Sequence, residues 1–403
     1  MIAQLCPDGV EYKTLGELSS KAKNIRWADE NGQSKKYIDL SSVDIRTHKV
    51  LDASEVDESN APSRAKQVVK LGDLLFATTR PTQMRCCLVP QEYDGQLCST
   101  GYCVLRFGRD VDNHFMFHTL TTSNFKRYLE NNQTEGNYPA ISDKKLKAYE
   151  IPVPPLEIQQ GIARILDSFA ELEAELEAEL EARKAQYAHY RDKLLEFTER
   201  ESVSWLKLGD IGTFKRGRRF TKADYRDCGI PSIHYADIYT KLGTWTESAV
   251  AYVDEAKRTS LRYAQPGDVV IACTGEDSDD IAKAVAWLGD EPAAVHDDCC
   301  VFHHEQNPRY IAYLFQTNRF ARFKKRYATE AKMTRLSSER IAQFEVPVPP
   351  LDEQHRIVDI LDRFDALTTS LADGLPSEIV ARRQQYEHYR DRLLDLPRKE
   401  NAA

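Results

Sequence analysis

No run of about 18 apolar residues occurs anywhere in the 403-residue chain, so a helix long enough to span a bilayer is not expected. Residues 1–16 also lack the basic and apolar stretches of a secretory leader. A cytoplasmic protein with no membrane partner is the expectation. The nine cysteines show no CxxC spacing, include the adjacent pairs Cys86-Cys87 and Cys299-Cys300, and are odd in number, which suits reduced thiols and disfavours a disulfide framework. Also missing are a glycine-rich phosphate loop, a dinucleotide fingerprint and a readable Ser-His-Asp constellation. Basic excess is missing too: the net charge is -8, which taken alone argues against a nucleic-acid partner. The distribution of that charge reverses the argument.

What the chain does have is a repeat. Ile151-Pro-Val-Pro-Pro-Leu recurs as Val346-Pro-Val-Pro-Pro-Leu, and the apolar residues Ile162, Ile165, Leu166, Phe169, Leu172 and Leu176 recur as Ile357, Ile360, Leu361, Phe364, Leu367 and Leu371. Gln186-Tyr-Ala-His-Tyr-Arg-Asp-Lys-Leu-Leu returns as Gln385-Tyr-Glu-His-Tyr-Arg-Asp-Arg-Leu-Leu, after four additional residues in the second copy. Upstream, Gly72-Asp-Leu-Leu-Phe-Ala is echoed by Gly267-Asp-Val-Val-Ile-Ala, and Thr14-Leu-Gly by Lys207-Leu-Gly. Such self-similarity sets the architecture: variable domain, helix, variable domain, helix.

In the copied segments Ile158, Ile162, Ile165, Phe169, Leu172 and Leu176 step by 4 and 3, the seam of a coiled coil. Leu180 shifts the phase, and Tyr187, Tyr190, Leu194 and Phe197 resume it. Pro155 and Pro350 mark the helix starts, with Glu157 and Asp352 favourably placed at the positive helix end. Gly374 and Pro376 predict a kink or short loop in the second helix. A continuous helix over 156–197 would be roughly 60 Å long, at about 1.5 Å per residue. Neither helix can bury its stripe alone, so antiparallel packing of the two is expected, with Ile162, Ile165, Phe169, Leu172 and Leu176 facing Ile357, Leu361, Phe364 and Leu371. Glu171, Glu173, Glu175, Glu177, Glu179 and Glu181 place much of the negative charge on the first helix, most simply as a solvated face.

The variable regions read as mixed α+β, with strands expected near 37–40, 73–77, 101–107 and 268–273 and helices near 115–129 and 309–326. Their basic residues are the candidate phosphate and base contacts: Lys23, Arg26, Lys35, Lys36 and Lys144 in the first, and Lys215, Arg216, Arg218, Arg219 and Lys222 around Gly217 in the second. Phe220 accompanies the second cluster. The polar loop after the first Gly-Asp strand adds Arg80, Gln83 and Arg85, residue types that fit base edges. A solvated surface loop is the plain alternative for each. The basic run Arg319, Arg322, Lys324, Lys325 and Arg326 lies on a predicted helix, where such side chains spread round the axis.

Two chemical motifs are only apparent. Pro7-Asp-Gly-Val-Glu-Tyr-Lys imitates the carboxylates of a magnesium-dependent nuclease but sets them too close together, and a solvated leader accounts for it better. The stretch His296-Asp-Asp-Cys-Cys-Val-Phe-His-His holds zinc-type ligands, yet a strand there sends neighbours to opposite faces, so buried cysteines and satisfied histidines are expected and no metal. No catalytic residue is assigned.

The doubled Pro-Val-Pro-Pro-Leu plus long helix, ending in Tyr-x-x-Tyr-Arg-Asp-(Lys/Arg)-Leu-Leu, resembles the specificity subunits of type I restriction-modification systems over essentially the whole chain. Gly229-Ile-Pro-Ser-Ile-His-Tyr-Ala-Asp-Ile-Tyr is similar to segments of that family's target recognition domains. The family commonly has Pro-Leu-x-Glu-Gln; this chain departs with Ile158 in the first copy and keeps Glu353 in the second. The resemblance implies an α+β protein: two mixed α/β target recognition domains, 1–154 and 201–349, separated by two long helices, 155–200 and 350–398, packed as an antiparallel coiled coil with an internal pseudo-two-fold repeat. It implies a non-catalytic protein that binds double-stranded DNA, each domain reading one half of an asymmetric bipartite site. The helices would set the spacer and dock two modification subunits. Restriction subunits would join them; S-adenosylmethionine, ATP and Mg would belong to those partners, with no cofactor on this chain. A protein-only coiled-coil adaptor and a stand-alone methyltransferase or nuclease are the alternatives; the latter lacks an Asn/Asp-Pro-Pro-aromatic motif.

Overall fold

In the computed structural model, residues 6–30, 32–197, 203–275, 281–329, 334–369 and 374–399 are described. The chain divides into two compact units, Met1–Glu177 with Glu378–Ala403, and Ala178–Ser377. Each unit therefore combines one variable region with half of each copied helical segment.

The first unit is built on two sheets. One runs Ser19–Ser20, Tyr102–Phe107, Leu74–Ala77, Cys86–Leu88, all antiparallel. The other runs Lys23–Asn24, Ala65–Val68, Leu97–Ser99, Lys35–Ile38, Ser54–Val56, with one parallel pair between Lys35–Ile38 and Leu97–Ser99. The second unit repeats the plan with two five-stranded sheets, and Val269–Ala272 takes the place of Leu74–Ala77 as an inner strand. All four residues of both strands are buried, which explains why these runs are continuously apolar rather than alternating.

The Gly-Asp before each strand has a local reason. Gly72 and Gly267 adopt φ of +79° and +94°, in the left-handed region that favours glycine. The following carboxylates close the turn: Asp73 accepts from the Lys70 N–H at 2.8 Å and Asp268 from the Gln265 N–H at 2.7 Å. Asp73 also binds Arg106 (2.6 and 2.8 Å), and Asp268 binds His303 (2.6 Å).

The two expected domain helices are each split in two, into Asn113–Thr119 and Ser123–Asn132 in the first unit and Pro308–Leu314 and Asn318–Tyr327 in the second. Thr122 and Thr317 make the break, because each adopts extended backbone and caps the next helix by accepting from the N–H of Phe125 or Phe320.

Each variable region is closed by a two-stranded pairing of its first and last strands. Glu11–Thr14 pairs with Glu150–Val153, and Ser204–Lys207 with Glu345–Val348, in the same register. The copied proline motif thus begins as a strand and turns into the helix. The Pro155 and Pro350 carbonyls accept the first helical bonds, from Gln159 (3.2 Å) and Gln354 (3.1 Å), and the helices run from Leu156 and Leu351. The first is continuous over Leu156–Leu195, 40 residues; the second forms Leu351–Thr369 and Leu375–Leu393, with Gly374 before the latter, where an interruption was expected.

Helix packing differs from a simple seam. Ile158, Ile162, Ala163 and Leu166 are buried in the core of the first unit, and Ile357, Val358 and Leu361 in that of the second. Ile165 and Leu172, expected in the seam, remain 48% and 46% exposed. At about 100° per residue they lie outside the arc spanned by Ile158, Ile162 and Leu166, and that arc packs into the globular core, which also takes in Tyr386 and Leu393 of the second helix. Leu176 is half-buried, and Leu371 lies outside the described residues. Helix-to-helix contact is carried by aromatic and charged residues. In the first unit Phe169 stacks on Tyr389 (5.5 Å) and Arg383 Nε donates to Glu173 (2.7 Å), an antiparallel order. In the second, Phe364 stacks on Tyr187 and Tyr190 (6.4 and 6.1 Å). Glu177 binds Arg383 and Arg46, so the acidic face is partly a set of ion pairs rather than solvated throughout.

The apparent nuclease motif is no solvated leader. Val10 is buried and exchanges backbone hydrogen bonds with Pro397 (2.8 Å) and Lys399 (2.9 Å), while Glu11 pairs with Lys13. Among the described residues no helix is long and apolar enough to cross a membrane.

Candidate nucleic-acid interface

In the second unit, loop 215–222 takes in the end of the strand Gly212–Arg216 and is held by two backbone hydrogen bonds and one from a side chain. Gly217 donates to the Cys299 carbonyl (3.0 Å), Arg218 to the Val295 carbonyl (2.9 Å), and Arg216 Nε to the Asp297 carbonyl (2.8 Å). Gly217 is required by space: a Cβ there would lie 2.0 Å from the His296 carbonyl oxygen. Phe220 is buried edge-on against His296 at 4.8 Å, so it anchors the loop from below and is not a surface for base stacking. Lys215, Arg216, Arg218, Arg219 and Lys222 are left exposed on this fixed backbone. The result is a rigid cationic projection, the arrangement that binds phosphates without first ordering a loop.

In the first unit the candidates do not form one cluster. Lys23 and Arg26 are exposed at and just after the edge strand Lys23–Asn24. Lys35 is half-buried and paired with Glu30 (2.9 Å), whereas Lys36 is exposed with its ammonium 5.3 Å from the Tyr93 ring. Lys144 is exposed on the short helix Asp143–Lys147.

Loop 78–85 is the sharper feature there. Arg80 and Met84 both adopt left-handed backbone, φ 49° and 55°, around the single turn Pro81–Gln83. Non-glycine residues hold that geometry only when their surroundings enforce it. Here the enforcement comes from segment 134–141, since Arg80 donates to the Pro139 carbonyl (2.7 Å) and Ile141 to that of Thr78 (2.8 Å). Arg80 and Gln83 are exposed, and the Arg80 guanidinium lies 5.2 Å from the ring of Tyr138, which is 75% exposed. Tyr138 was not singled out from the sequence; a lone tyrosine in a polar stretch carries no signal there. Arg85 differs from the other candidates. Its guanidinium donates to the Leu40 and Val43 carbonyls (2.6 Å to the latter), so it is a brace within the domain and its proposed base contact is withdrawn.

The helical basic run is likewise divided. Arg319 stacks on Trp205 at 4.0 Å, while Arg322, Lys325 and Arg326 are exposed.

The repeated motifs frame these surfaces. Gln159 and Gln354, 1% and 0% exposed, each tie the helix start to the proline motif and to the variable region: Gln354 accepts from the Asn307 N–H (3.0 Å) and donates to the Pro349 carbonyl (2.8 Å), and Gln159 does the same with Asp112 (2.9 Å) and Pro154 (2.8 Å). Their identity in both copies was the available signal. The departure at Ile158 has a reason as well, because Ile158 is buried in the core while Glu353 is paired with Arg356 near the surface. At the other helix ends, Arg191 and Arg390 lie over the rings of Tyr187 and Tyr386 and pair with Asp192 and Asp391, which accept from the N–H of Asn318 (3.0 Å) and Ser123 (3.3 Å). The repeated Tyr-Arg-Asp is thus a clamp on the helices Ser123–Asn132 and Asn318–Tyr327, at their positive ends.

Comparison with known proteins gives this duplicated frame a family. The profile described as Type I restriction modification DNA specificity domain matches twice, over residues 7–182 and 201–381. The chain is 35% identical over 275 residues to the EcoR124I/EcoR124II specificity subunit of Escherichia coli, covering 65% of this chain and 67% of that protein. It is 30% identical over 299 residues to a putative type I specificity subunit of Haemophilus influenzae, covering 71% and 73%. Among solved structures, a chain from a study of complex assembly and conformational transition of the type I R-M system superposes with a TM-score of 0.70 at 21% identity, covering 96% of this chain and 98% of that one. The HsdS subunit of Thermoanaerobacter tengcongensis gives a TM-score of 0.50 at 21% identity over 98% and 99%. With the family profile matched twice along most of its length, the chain belongs to the type I restriction-modification specificity subunits.

Proposed function

We propose that this chain binds double-stranded DNA as the recognition component of a type I restriction-modification complex in the cytoplasm, each unit reading one half of an asymmetric bipartite site. The observation that carries this reading is the duplication: two units of one plan, each with exposed polar or cationic side chains on a backbone-anchored loop, the cation Arg80 and the neutral amide Gln83 in one and the cations Lys215, Arg216, Arg218, Arg219 and Lys222 in the other. Two short and weakly selective readers on one chain gain selectivity through effective concentration. Lys23, Arg26, Lys36 and Lys144 add phosphate contacts that position the first unit. The chain itself performs no catalysis. Two modification subunits dock on the helices and bring S-adenosylmethionine for adenine methylation; restriction subunits bring ATP and Mg. Exposed Ile165 and Leu172, seven residues apart on one side of the first helix, give such a partner an apolar face.

The test is single-molecule sequencing of adenine methylation in cells expressing this chain with its neighbouring modification subunit, against cells lacking this chain. A bipartite motif with a fixed gap that disappears in the control is the expected result. An assembled complex that yields no such motif would overturn the reading and favour a protein-only adaptor.

A further inference from the structure

Three ligand-type side chains from two distant stretches of sequence meet beneath the arginine loop of the second unit. His234 precedes the helix Tyr235–Thr240, and His296 and Asp298 lie in the turn between the strands Ala293–Val295 and Cys299–His304. One donor atom from each comes within 4.8 Å of the others. His296 is 9% exposed, and its ring centroid is 4.5 Å from that of His234. We propose that His234, His296 and Asp298 form a binding site for a divalent transition-metal ion of the zinc class, with the remaining coordination position filled by water.

The hydrogen bonds around His296 argue for it. Its Nε2 lies 3.1 Å from the Phe220 carbonyl oxygen and 3.3 Å from the Asp297 carboxylate, two acceptors that place the proton on Nε2. Nδ1 is then a lone pair. It accepts a long bond from the Asp298 N–H (3.3 Å) and also faces the Asp298 carboxylate oxygen at 3.2 Å. Two lone-pair atoms at that separation repel unless a cation lies near both. A proton on Nδ1 would serve that one contact but gives no part to His234; a metal ion takes all three donors. An imidazole that ligates through one nitrogen and donates from the other to a backbone carbonyl is the usual outer-shell arrangement of metal-bound histidine. Two imidazoles, one carboxylate and one open position make a donor set that suits zinc. His234 Nδ1 also accepts from the Ala236 N–H at 3.2 Å, a weak capping bond that ligation would replace if that nitrogen is the donor.

Residues 296–304 taken by themselves gave no expectation of a metal. The third donor comes from 62 positions upstream of His296, a pairing only the fold supplies. Its consequence concerns the loop. Because the Phe220 carbonyl is bonded to His296, an ion that fixes the His296 ring also fixes loop 215–222. That last link rests on the proposed role of the loop in DNA binding; the ion site does not.

The test uses untagged full-length chain, stripped with a chelator and then titrated with Zn²⁺ or Co²⁺. The bound ion is counted by mass spectrometry and the cobalt geometry is read from visible absorption. One equivalent is expected for the wild type. In Asp298→Asn and in His234→Gln the affinity is expected to fall by more than roughly tenfold, the loss seen when only an outer-shell partner is removed. His303→Gln, at an exposed histidine outside the site, keeps the wild-type value. Circular dichroism confirms that each variant is folded. A wild type that takes up well under one equivalent overturns the proposal, and so does tight binding that persists in either ligand variant. No DNA enters these measurements, so failure of the DNA-reading proposal and failure of the metal site are told apart.

Discussion

Replacing Gln354 by leucine removes a hydrogen-bonding hub without opening a large cavity, and its cost follows from the partners left behind. The Asn307 N–H and the Pro349 carbonyl, at 3.0 and 2.8 Å from the amide, are both in buried surroundings and lose this side-chain partner; the half-buried Gln306 amide can turn to water. An orphaned buried polar group costs about 1–3 kcal/mol, so two cost about 2–6 kcal/mol, and the apolar packing of leucine offsets part of this. A net loss of about 3 kcal/mol is expected. For a unit of this size each kcal/mol corresponds to about 2–4 °C, which gives a fall in Tm of roughly 6–12 °C. Gln354→Glu keeps the acceptor for Asn307 but sets a carboxylate against the Pro349 carbonyl. Its loss should shrink as acid protonates that carboxylate, because burial raises its pKa and the native state then holds the proton more tightly than the unfolded chain. The assay is hydrogen–deuterium exchange read separately for peptides of each unit, with calorimetry for the total. Destabilisation should concentrate in residues 178–377, and Gln159→Leu should produce the mirror result in the first unit. A loss below about 1 kcal/mol, or equal loss in both units from either variant, would refute the reasoning.

Further outcomes are expected at other points of the frame. Asp192→Ala removes the acceptor for the Asn318 N–H and the partner of Arg191, and should cost about 1–2 kcal/mol in urea unfolding. Gly217→Ala has no room for its methyl group, so the loop should be displaced and DNA affinity should fall by more than about tenfold (about 1.4 kcal/mol) in a binding titration. Arg218→Ala combined with Arg219→Ala should leave the fold intact and lower the slope of log K against log salt by about 2, close to one for each phosphate no longer neutralised. Burial, helped by neighbouring Asp362, pushes the Asp365 carboxyl from its ordinary 3.8 up to about 6. The native state therefore binds this proton more tightly, and stability falls as pH rises from about 4 through about 6. Asp365→Asn should accordingly stabilise the second unit by about 1–2 kcal/mol at pH 8, after discounting for partial exposure, and by nothing below about pH 4.

Much of the frame was legible because it is written twice. The helix starts, the inner strands after Gly72 and Gly267 and the interruption before Leu375 all stand near where pattern and proline placed them. The split of each domain helix was missed, since Thr122 and Thr317 sit inside otherwise helical patterns and break them only through capping. The seam was misread at Ile165 and Leu172: heptad spacing identifies an apolar stripe, but the width of the buried arc depends on what packs against it. Arg85 and Phe220 sit in sequence beside surface residues, yet one braces two carbonyls and the other plugs the loop from beneath. Nothing in a local sequence distinguishes an arginine that faces solvent from one that meets a backbone carbonyl brought in from another strand.

The amino-acid sequence by itself determined the duplicated plan, the element types and the residues that repeat, because periodicity, proline, glycine and identity between copies are local or pairwise properties of a string. Only the tertiary structure decided why the repeats exist: that Gln159 and Gln354 join three segments, that Tyr-Arg-Asp clamps a domain helix, and which cations stay exposed. Each of these depends on atoms brought within about 3 Å from distant positions, the range over which a hydrogen bond forms, and that proximity is a property of the fold.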